Sequence, residues 1–296
     1  MEMPGRFVCN ICGAENKSAL DPNNREEATC LCCRSSMRFR AIVLALSRAL
    51  FGMDLSLRQF PVLKSIRGLG ISDSEIYSGR LATRFSYTNT FHDREPSFDL
   101  TQPGEEEFGK YDFVICSDVL EHIPYPVESG FRTLARLLAP HGVLILTAPY
   151  TLESATEEHF PGLRRTALVE IDGRSVLVSR SADGRYEVFD DLVFHGGQGA
   201  TLERRVFSEA DLRAGLAAAG LTSVRFEVTG SRQFGVDFSY PWSLPIIAGQ
   251  APFSLRTSGI RELVEQLVKE RDLLKAVKRS RWLRVGRWLG QGPRLR

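Results

Sequence analysis

Four cysteines near the start of the chain have the types and spacing of a metal site. Cys9-x-x-Cys12 and Cys30-x-x-Cys33 are separated by 17 residues, and each turn can present two sulfurs on one side. Four thiolates suit the tetrahedral coordination of zinc, and the metal would supply the folding energy of a module too short to bury a core. Cys32 leaves the second pair ambiguous, and reduced, partly buried thiols are the alternative to a metal.

A second set of reactive side chains follows a short apolar run at residues 113–116. These side chains are Ser117, Asp118, Glu121 and His122. A helical pattern comes next, residues 140–142 break it, and a second apolar run covers residues 143–146. Strand, helix, turn and strand form the βαβ unit of a parallel sheet, whose ligands sit at the carboxyl ends of the strands. The four side chains are therefore expected to face a ligand.

Two motifs at residues 111–150 point to a family. They are D-x-x-E-H-I-P after the first apolar run and P-H-G-x-L-x-L-x-x-P through the second. In both, the chain resembles class I S-adenosylmethionine-dependent methyltransferases, at their fourth and fifth strands. The segments G-I-S-D-S, Y-T-N-T-F-H, E-H-F-P, F-H-G-G and R-V-F-S resemble methyltransferases of bacterial surface-polysaccharide clusters, over roughly residues 60–250. The resemblance implies S-adenosylmethionine as methyl donor and a Rossmann-like α/β fold with a seven-stranded sheet.

The donor is expected to lie against the first strands of that sheet. Residues 62–70 predict the first strand and a glycine loop at Gly68 and Gly70, which lets the backbone approach a ligand closely. A leading acidic residue and a third glycine, usual in class I enzymes, are missing here. Residues 75–85 fit the following helix, and residues 87–91 fit the second strand.

Three carboxylates are candidates for binding the nucleoside of the donor. Asp93 follows the second strand, where folds of this type place an acid on the ribose, and Asp73 competes with it. Residues 98–100 could form a short third strand, with Asp99 facing the adenine amine. The alternative for Asp93 and Asp99 is a solvated loop position.

Beyond the fifth strand the pattern changes to antiparallel hairpins. Residues 167–171 and 175–178 flank Asp172-Gly173, a tight-turn dipeptide, and Asp183-Gly184 turns the chain again. We expect these hairpins to be an insertion at about residues 160–200. The elements expected after it are a helix capped by Ser208 and strands at residues 223–228 and 244–248.

The chain divides into three predicted parts. They are a zinc-binding module at residues 1–36, a methyltransferase domain at residues 37–255 and a basic amphipathic helical tail at residues 256–296. A helix predicted at residues 38–51 joins the first two. No apolar run is long enough to span a bilayer, and no secretory signal begins the sequence, so the cytoplasm is the expected compartment.

The tail differs in charge from the rest of the chain. Residues 256–296 hold 12 Lys/Arg against 4 Asp/Glu, whereas the whole chain has a net charge of +2. An apolar helical stripe runs along its first part and consists of Ile260, Leu263, Val264, Leu267 and Leu274. Farther on, Trp282 and Trp288 are interleaved with arginines. This composition predicts contact with an anionic membrane surface, with a solvated helix that makes some dimer contact as the alternative.

Methyl transfer to a sugar hydroxyl needs a base, because the sulfonium donor is already activated. His159 follows the fifth strand and His195 ends the hairpins. Both lie where the resemblance places the acceptor pocket, and the ordinary histidine pKa of about 6.5 suits the task. For each of them a hydrogen-bonded loop histidine without catalytic duty is the alternative. His122 is expected nearer the donor.

Three functions are compatible with these features. The leading one is an S-adenosylmethionine-dependent O-methyltransferase acting on a glycan or lipid-linked saccharide of the bacterial cell envelope, in the cytoplasm and peripherally at the inner membrane. The second is a zinc-containing RNA methyltransferase, in which Arg34, Arg38, Arg40 and the tail bind phosphates. The family resemblance and the acidic main body argue against nucleic acid. The third is a non-catalytic zinc-dependent scaffold.

Overall fold

Helices and parallel strands alternate through the first half of the chain, as its apolar runs predict. The computed structural model describes residues 5–18, 21, 24–160, 163, 166–180, 184–195, 201–240, 243–255 and 257–279. The elements of the first half are β1 (Gly5–Val8), β2 (Glu15–Ser18), α1 (Met37–Phe51), β3 (Leu63–Ile71), α2 (Glu75–Arg84), β4 (Phe85–Thr90), β5 (Tyr111–Ser117), α3 (Glu128–Leu137) and β6 (Leu138–Thr147). The helices and strands predicted at residues 38–51, 75–85, 87–91, 113–116 and 143–146 are therefore confirmed.

Short strands, most of them paired antiparallel, dominate the second half. Its elements are β7 (Tyr150–Thr151), β8 (Glu157–Glu158), β9 (Thr166–Ile171), β10 (Arg174–Arg180), β11 (Tyr186–Phe189), β12 (Phe194–His195), β13 (Thr201–Leu202), β14 (Arg205–Ser208), α4 (Glu209–Ala218), β15 (Ser223–Phe226), β16 (Ile246–Gly249) and α5 (Thr257–Arg279). The predicted hairpin forms, since β9 and β10 pair around Asp172-Gly173, both of which have positive φ. Asp183, from the second predicted turn, lies outside the described residues. Ser208 caps α4 as predicted, with its Oγ accepting from Asp211 N at 3.0 Å.

The central sheet is mixed and has the strand order β15-β16-β6-β5-β3-β4. β3 is parallel to both β4 and β5, and β5 is parallel to β6. β16 runs antiparallel to both of its neighbours. The carboxyl ends of the four parallel strands therefore meet at one edge of the sheet, where ligands of such folds bind.

Both faces of this sheet are covered, and β5 shows how. Val114 and Cys116 point into the apolar cluster formed with α3 and α4. Phe113 and Ile115 point the other way, into the cluster formed with α1 and α2. A strand buried on both faces is apolar at successive positions, which is why it was visible in the sequence. Cys9, Ile11 and Cys30 join the second cluster, so the N-terminal module packs into the same core.

The described part of the sheet has six strands, whereas the family resemblance implies seven. The prediction of a third strand at residues 98–100 is wrong. Pairing there is limited to a single bridge between Phe91 and Ser97. Asp99 gives the reason, because its Oδ1 accepts from both the backbone N and the Oγ1 of Thr101, each at 2.7 Å. This local hydrogen bonding turns the chain and competes with an extended conformation.

The prediction of a glycine loop at Gly68 and Gly70 is also wrong. Gly68 and Gly70 lie inside β3, which extends to Ile71 and pairs with a neighbour on each side at these positions. A Cβ at Gly68 would overlap the ring of Phe113, and one at Gly70 would overlap the hydroxyl of Tyr87. The glycines therefore make room for side chains of the neighbouring strands.

Candidate active site

A cavity of about 1190 Å³ opens at the carboxyl ends of the parallel strands. This volume is sufficient for a nucleoside donor together with an acceptor. The predicted donor residues on its wall are Asp93, Asp99, Ser117, Asp118 and His122. The other predicted donor residues, which lie outside the wall, are Gly68, Gly70, Asp73 and Glu121. The cavity thus brings together the residues that follow β4 and β5, the strands that flank β3.

Asp73 is buried within the loop that joins β3 to α2. Tyr77 Oη donates to its Oδ1 at 2.8 Å, and Tyr87 Oη donates to its Oδ2. Asn89 holds the backbone, accepting from Asp73 N at 3.0 Å and donating to Asp73 O at 2.8 Å. Burial raises the pKa of Asp73 to about 7, although both tyrosine hydrogen bonds act to lower it. Both of its carboxylate oxygens are thus bound within the protein.

Asp118 is fixed at the end of β5 in a backbone conformation that few non-glycine residues adopt, with φ of 52°. Thr147 donates to Asp118 Oδ1 at 2.8 Å and accepts from Asp118 N at 2.9 Å. Arg38 Nη1 lies 2.8 Å from Asp118 Oδ2 and donates to Ser117 Oγ at 2.8 Å, while its Nε lies 2.6 Å from Glu26 Oε1. Arg38 therefore joins the N-terminal module to the end of β5.

His122 lines the cavity and has a defined ring orientation. Its Nδ1 lies 2.8 Å from Leu202 O. A carbonyl oxygen can only accept, so Nδ1 has the hydrogen in the neutral ring and Nε2 is the basic nitrogen. Glu121 Oε1 lies 3.8 Å from that Nε2. The pair has the chemistry of a base whose protonated form is stabilised by a nearby carboxylate.

The turn that presents His122 is held by Arg205, which is 1% exposed. Arg205 Nη1 donates to Leu120 O at 3.0 Å and to Ile123 O at 2.6 Å. Its Nε forms an ion pair with Glu158 Oε1 at 2.6 Å. A buried arginine thus donates to the backbone carbonyls on both sides of the histidine.

The two histidines predicted as bases are placed differently. His159 lies outside the cavity wall, with its Nε2 3.2 Å from Glu203 Oε1. His195 lies in β12, opposite Thr201 in the register with β13, and its side chain lies outside the described part of the structure. Phe194, next to it, lines the cavity.

The four predicted metal ligands converge. The Sγ atoms of Cys9, Cys12, Cys30 and Cys33 all lie within 4.8 Å of one another. Cys9 and Cys33 are 3.7 Å apart, and Cys12 and Cys30 are 3.6 Å apart, measured between Sγ atoms. Sulfurs around a tetrahedral zinc with bonds of about 2.3 Å are about 3.8 Å apart, so this group fits the ion. Cys32 is exposed and lies outside the group.

The surroundings of these sulfurs also suit thiolates. Ser35 Oγ lies 3.3 Å from Cys9 Sγ, and Asn16 Nδ2 donates to Cys30 Sγ at 3.6 Å. Arg40 is fully buried close by and donates to Ser35 O at 2.9 Å. Burial lowers the pKa of Arg40, although the charges of the cysteine thiolates act to raise it. Four thiolates around Zn²⁺ have a net charge of −2, and Arg40 supplies a nearby positive charge.

Sequence reasoning missed the parts of the cavity wall that come from distant segments. Arg25, in the loop between the two cysteine pairs, donates through Nη1 to Ser243 O, and both residues line the cavity. They are 218 positions apart in the sequence, so no local pattern connects them. Arg204, just before β14, lines the cavity as well. The sequence signal that could have identified Arg25 is its position between the two cysteine pairs, which a bound metal would bring together.

The chain is similar to several known proteins. A family model described as a methyltransferase domain matches residues 48–225, more than half of the chain. Similar solved structures include CalS10, an amino pentose methyltransferase from Micromonospora echinaspora involved in calicheamicin biosynthesis (17% identity, covering 73% of this chain and 92% of that chain, TM-score 0.40). Another is the N-terminal domain of EvdMO1 with SAH bound (16% identity, 72% and 81%, TM-score 0.41). No curated protein matches the sequence significantly. The chain belongs to the methyltransferase domain family and is an S-adenosylmethionine-dependent methyltransferase.

Proposed function

We propose that the protein transfers a methyl group from S-adenosylmethionine to a hydroxyl of a glycan or lipid-linked saccharide of the bacterial cell envelope. The observation that carries the proposal is the cavity, which has carboxylates at its β4 side and His122 on the same wall. S-adenosylmethionine supplies an electrophilic methyl group, so the protein has to orient the acceptor and remove its proton. The glycan assignment rests on the motifs between residues 60 and 250 that resemble polysaccharide methyltransferases.

The donor is proposed to bind at the β4 side of the cavity. Asp93 would accept from the ribose hydroxyls and Asp99 from the adenine amine, since both line the wall just beyond β4. Ser117 and Asp118 would contact the donor from the end of β5. The remaining residues predicted for donor binding lie off the cavity wall, and they are Gly68, Gly70, Asp73 and Glu121.

His122 joins the two predicted histidines, His159 and His195, as a candidate for the base. His122 is favoured by geometry, because its basic Nε2 belongs to a ring on the cavity wall and Glu121 would stabilise the imidazolium. His195 stays a candidate through its neighbour Phe194. His159 is less suited, because the residue lies off the cavity wall.

The test of the base uses His→Asn variants at positions 122, 159 and 195. The variant at the true base should bind the demethylated donor product normally and turn over at least ~100-fold slower, the usual scale of general-base catalysis. The other two variants are matched controls. If all three retain full activity, none of these three histidines is the base, and Asp118 and His92, which also line the cavity, are the next groups to test.

A structural zinc ion bound by Cys9, Cys12, Cys30 and Cys33 is part of the proposal. Elemental analysis of the purified protein should give about one zinc per chain. Cys30→Ser should lose the ion, because a hydroxyl replaces one thiolate ligand. Cys32→Ser is the matched control and should keep it, since its side chain is exposed. Folded protein without metal, or loss of zinc in the control, would contradict the assignment.

The tail is proposed to touch an anionic membrane. Among the described residues, no helix is both long and apolar enough to cross a bilayer. The first part of α5 is fixed to the amino end of β3, where Glu262 accepts from Ser65 N at 3.1 Å. Four of the five predicted stripe residues, all except Leu263, are exposed and so available to a surface: Ile260, Val264, Leu267 and Leu274. Trp282, Trp288 and the basic residues beyond position 279 lie outside the described residues.

RNA as the acceptor finds less support. Arg40 is fully buried beside the cysteines, and Arg38 is held by Glu26 and Asp118. Of the three N-terminal arginines considered as phosphate ligands, Arg34 alone is exposed.

The decisive test of the proposed function combines two measurements. Titration calorimetry should show the demethylated donor product binding to the intact protein, and mass spectrometry of surface glycans should show a methyl group that disappears when the protein is removed. Absence of donor binding would favour a non-catalytic scaffold. Donor binding with unchanged glycans and methylated RNA would replace the saccharide with RNA.

A further inference from the structure

Charged residues are not distributed evenly around the cavity. Asp93 and Asp99 lie beyond β4, at one edge of the sheet. Arg25 reaches Ser243, just before β16, which places its guanidinium towards the other side of the sheet. Arg204 lies next to β14, which pairs with the strand that follows β6. The acidic half thus lies at the β4 side of the cavity, and the basic half lies towards β6 and β16.

Among the described residues, the two arginines of the basic half have no carboxylate as an ion-pair partner. Within the described ranges, neither Arg25 nor Arg204 has a carboxylate oxygen within the 4.0 Å of an ion pair. The neutral oxygens that they bind are Ser243 O for Arg25 and Thr166 Oγ1, at 3.1 Å, for Arg204. Burial lowers the pKa of both guanidinium groups. Each group has therefore lost part of its hydration without gaining a carboxylate in contact.

Arg38 in the same cavity shows the contrast. Its guanidinium is also partly buried, but it touches both Asp118 and Glu26. Its charge is therefore matched inside the protein. Asp118 and Glu26 also raise the pKa of Arg25, although they form their short contacts with Arg38. Arg25 and Arg204 are thus the cations of the cavity whose charge a ligand can still neutralise.

We propose that the acceptor saccharide is anionic and that Arg25 and Arg204 bind its negative group. This inference rests on the proposed function, because it specifies the class of acceptor for the same cavity. A planar guanidinium binds phosphate and carboxylate oxygens through paired N–H donors, so the group is a phosphate ester, a diphosphate or a uronate. The arrangement also separates the ligand charges, since the cationic sulfonium donor occupies the acidic half.

The proposal gives the N-terminal module a role at the site. Arg25 O accepts from Arg38 N at 3.1 Å, so the loop is fixed to the start of α1. Arg25, which lies between the two cysteine pairs, donates to Ser243 O, and both residues line the cavity. A metal that fixes the two cysteine pairs would thus fix Arg25 as a specificity-determining residue.

The test is titration calorimetry on the intact chain with inorganic diphosphate and, separately, with glucuronate. The demethylated donor product is added first. At least one of the two anions should bind, and Arg25→Gln and Arg204→Gln should each weaken that binding tenfold or more, because a charged hydrogen-bond partner is lost. Arg25→Lys should recover part of the loss. Arg132→Gln, an exposed arginine on α3, is the matched control and should change nothing.

The outcomes separate this proposal from the function on which it rests. Binding of the donor product without either anion would overturn the anionic subsite and leave the methyltransferase function intact. Failure of the donor product itself would count against the proposed function. Diphosphate alone indicates a phosphate-linked acceptor, and glucuronate alone indicates a uronate. Anion binding that both Gln variants retain at full strength would overturn the assignment of the two arginines.

Discussion

Asp73 and Asp93 give a direct test of which carboxylates support the fold and which bind the donor. Both were candidates from the sequence, but Asp73 is buried against Tyr77 and Tyr87, whereas Asp93 lines the cavity. We expect Asp73→Asn to leave the affinity for the demethylated donor product within about twofold. Asp93→Asn should weaken that affinity about tenfold or more, since it removes a charged acceptor of hydrogen bonds.

The stability of the wild type relative to Asp73→Asn should depend on pH in a defined way. Burial raises the pKa of Asp73 from 3.8 to about 7. In the interval between these values the folded state therefore binds more protons than the unfolded state, and stability falls as pH rises. Below pH 4 the cost is absent, and above pH 7 it is complete. Three pKa units at about 1.4 kcal/mol each give an upper limit of about 4 kcal/mol.

The asparagine variant cannot ionise, yet its amide can accept from one tyrosine hydroxyl and donate to the other. Its free energy of unfolding minus that of the wild type should therefore rise by about 4 kcal/mol between pH 4 and pH 8. Urea denaturation at four pH values measures this difference, in which groups common to both proteins cancel. A difference that stays constant across the interval would mean that Asp73 folds with an ordinary pKa. Loss of donor affinity in Asp73→Asn at unchanged stability would mean that this carboxylate binds the donor.

Three further changes test the supports of the site. Arg205→Met should lower the free energy of unfolding in urea by about 3–5 kcal/mol, because Glu158 and two carbonyls lose a buried partner. A cost below 1 kcal/mol would contradict that role. Gly68→Ala should cost about 1–3 kcal/mol through overlap with Phe113 while leaving donor affinity unchanged, and weaker donor binding at full stability would show ligand contact. Deleting residues 280–296 should abolish binding to anionic vesicles in a sedimentation assay without changing donor affinity, and vesicle binding by the truncated chain would refute the membrane role.

The sequence was most informative where local pattern and tertiary environment agree. β5 is buried on both faces and reads as an uninterrupted apolar run, so its position was predictable. The cap of α4 by Ser208 and the turn at Asp172-Gly173 depend on neighbouring residues alone. The paired cysteines were predictable for the same reason, because each C-x-x-C pair is a local turn with fixed spacing.

Predictions failed where the deciding contact is made by a side chain or a distant strand. Asp99 accepts two hydrogen bonds from Thr101, so residues 98–100 do not form a strand, although the residues around Asp99 are β-prone. Gly68 looks like part of a ligand loop, but the ring of Phe113 from the neighbouring strand explains it. The position of Phe113 opposite Gly68 depends on the register of the whole sheet, which a single sequence does not contain.

The cavity itself depends on contacts of the longest range. Arg25 and Ser243 meet across 218 positions, and His122 is oriented by Leu202 across 80. The predicted boundary between the zinc module and the methyltransferase domain lies at residues 36 and 37. Arg38 forms ion pairs with Glu26 and Asp118, which lie on opposite sides of that boundary. Residues on both sides of that boundary form one wall of the cavity. A ligand of this wall that binds the folded state and not the unfolded state must therefore stabilise the fold of the N-terminal module as well, because binding is linked to folding.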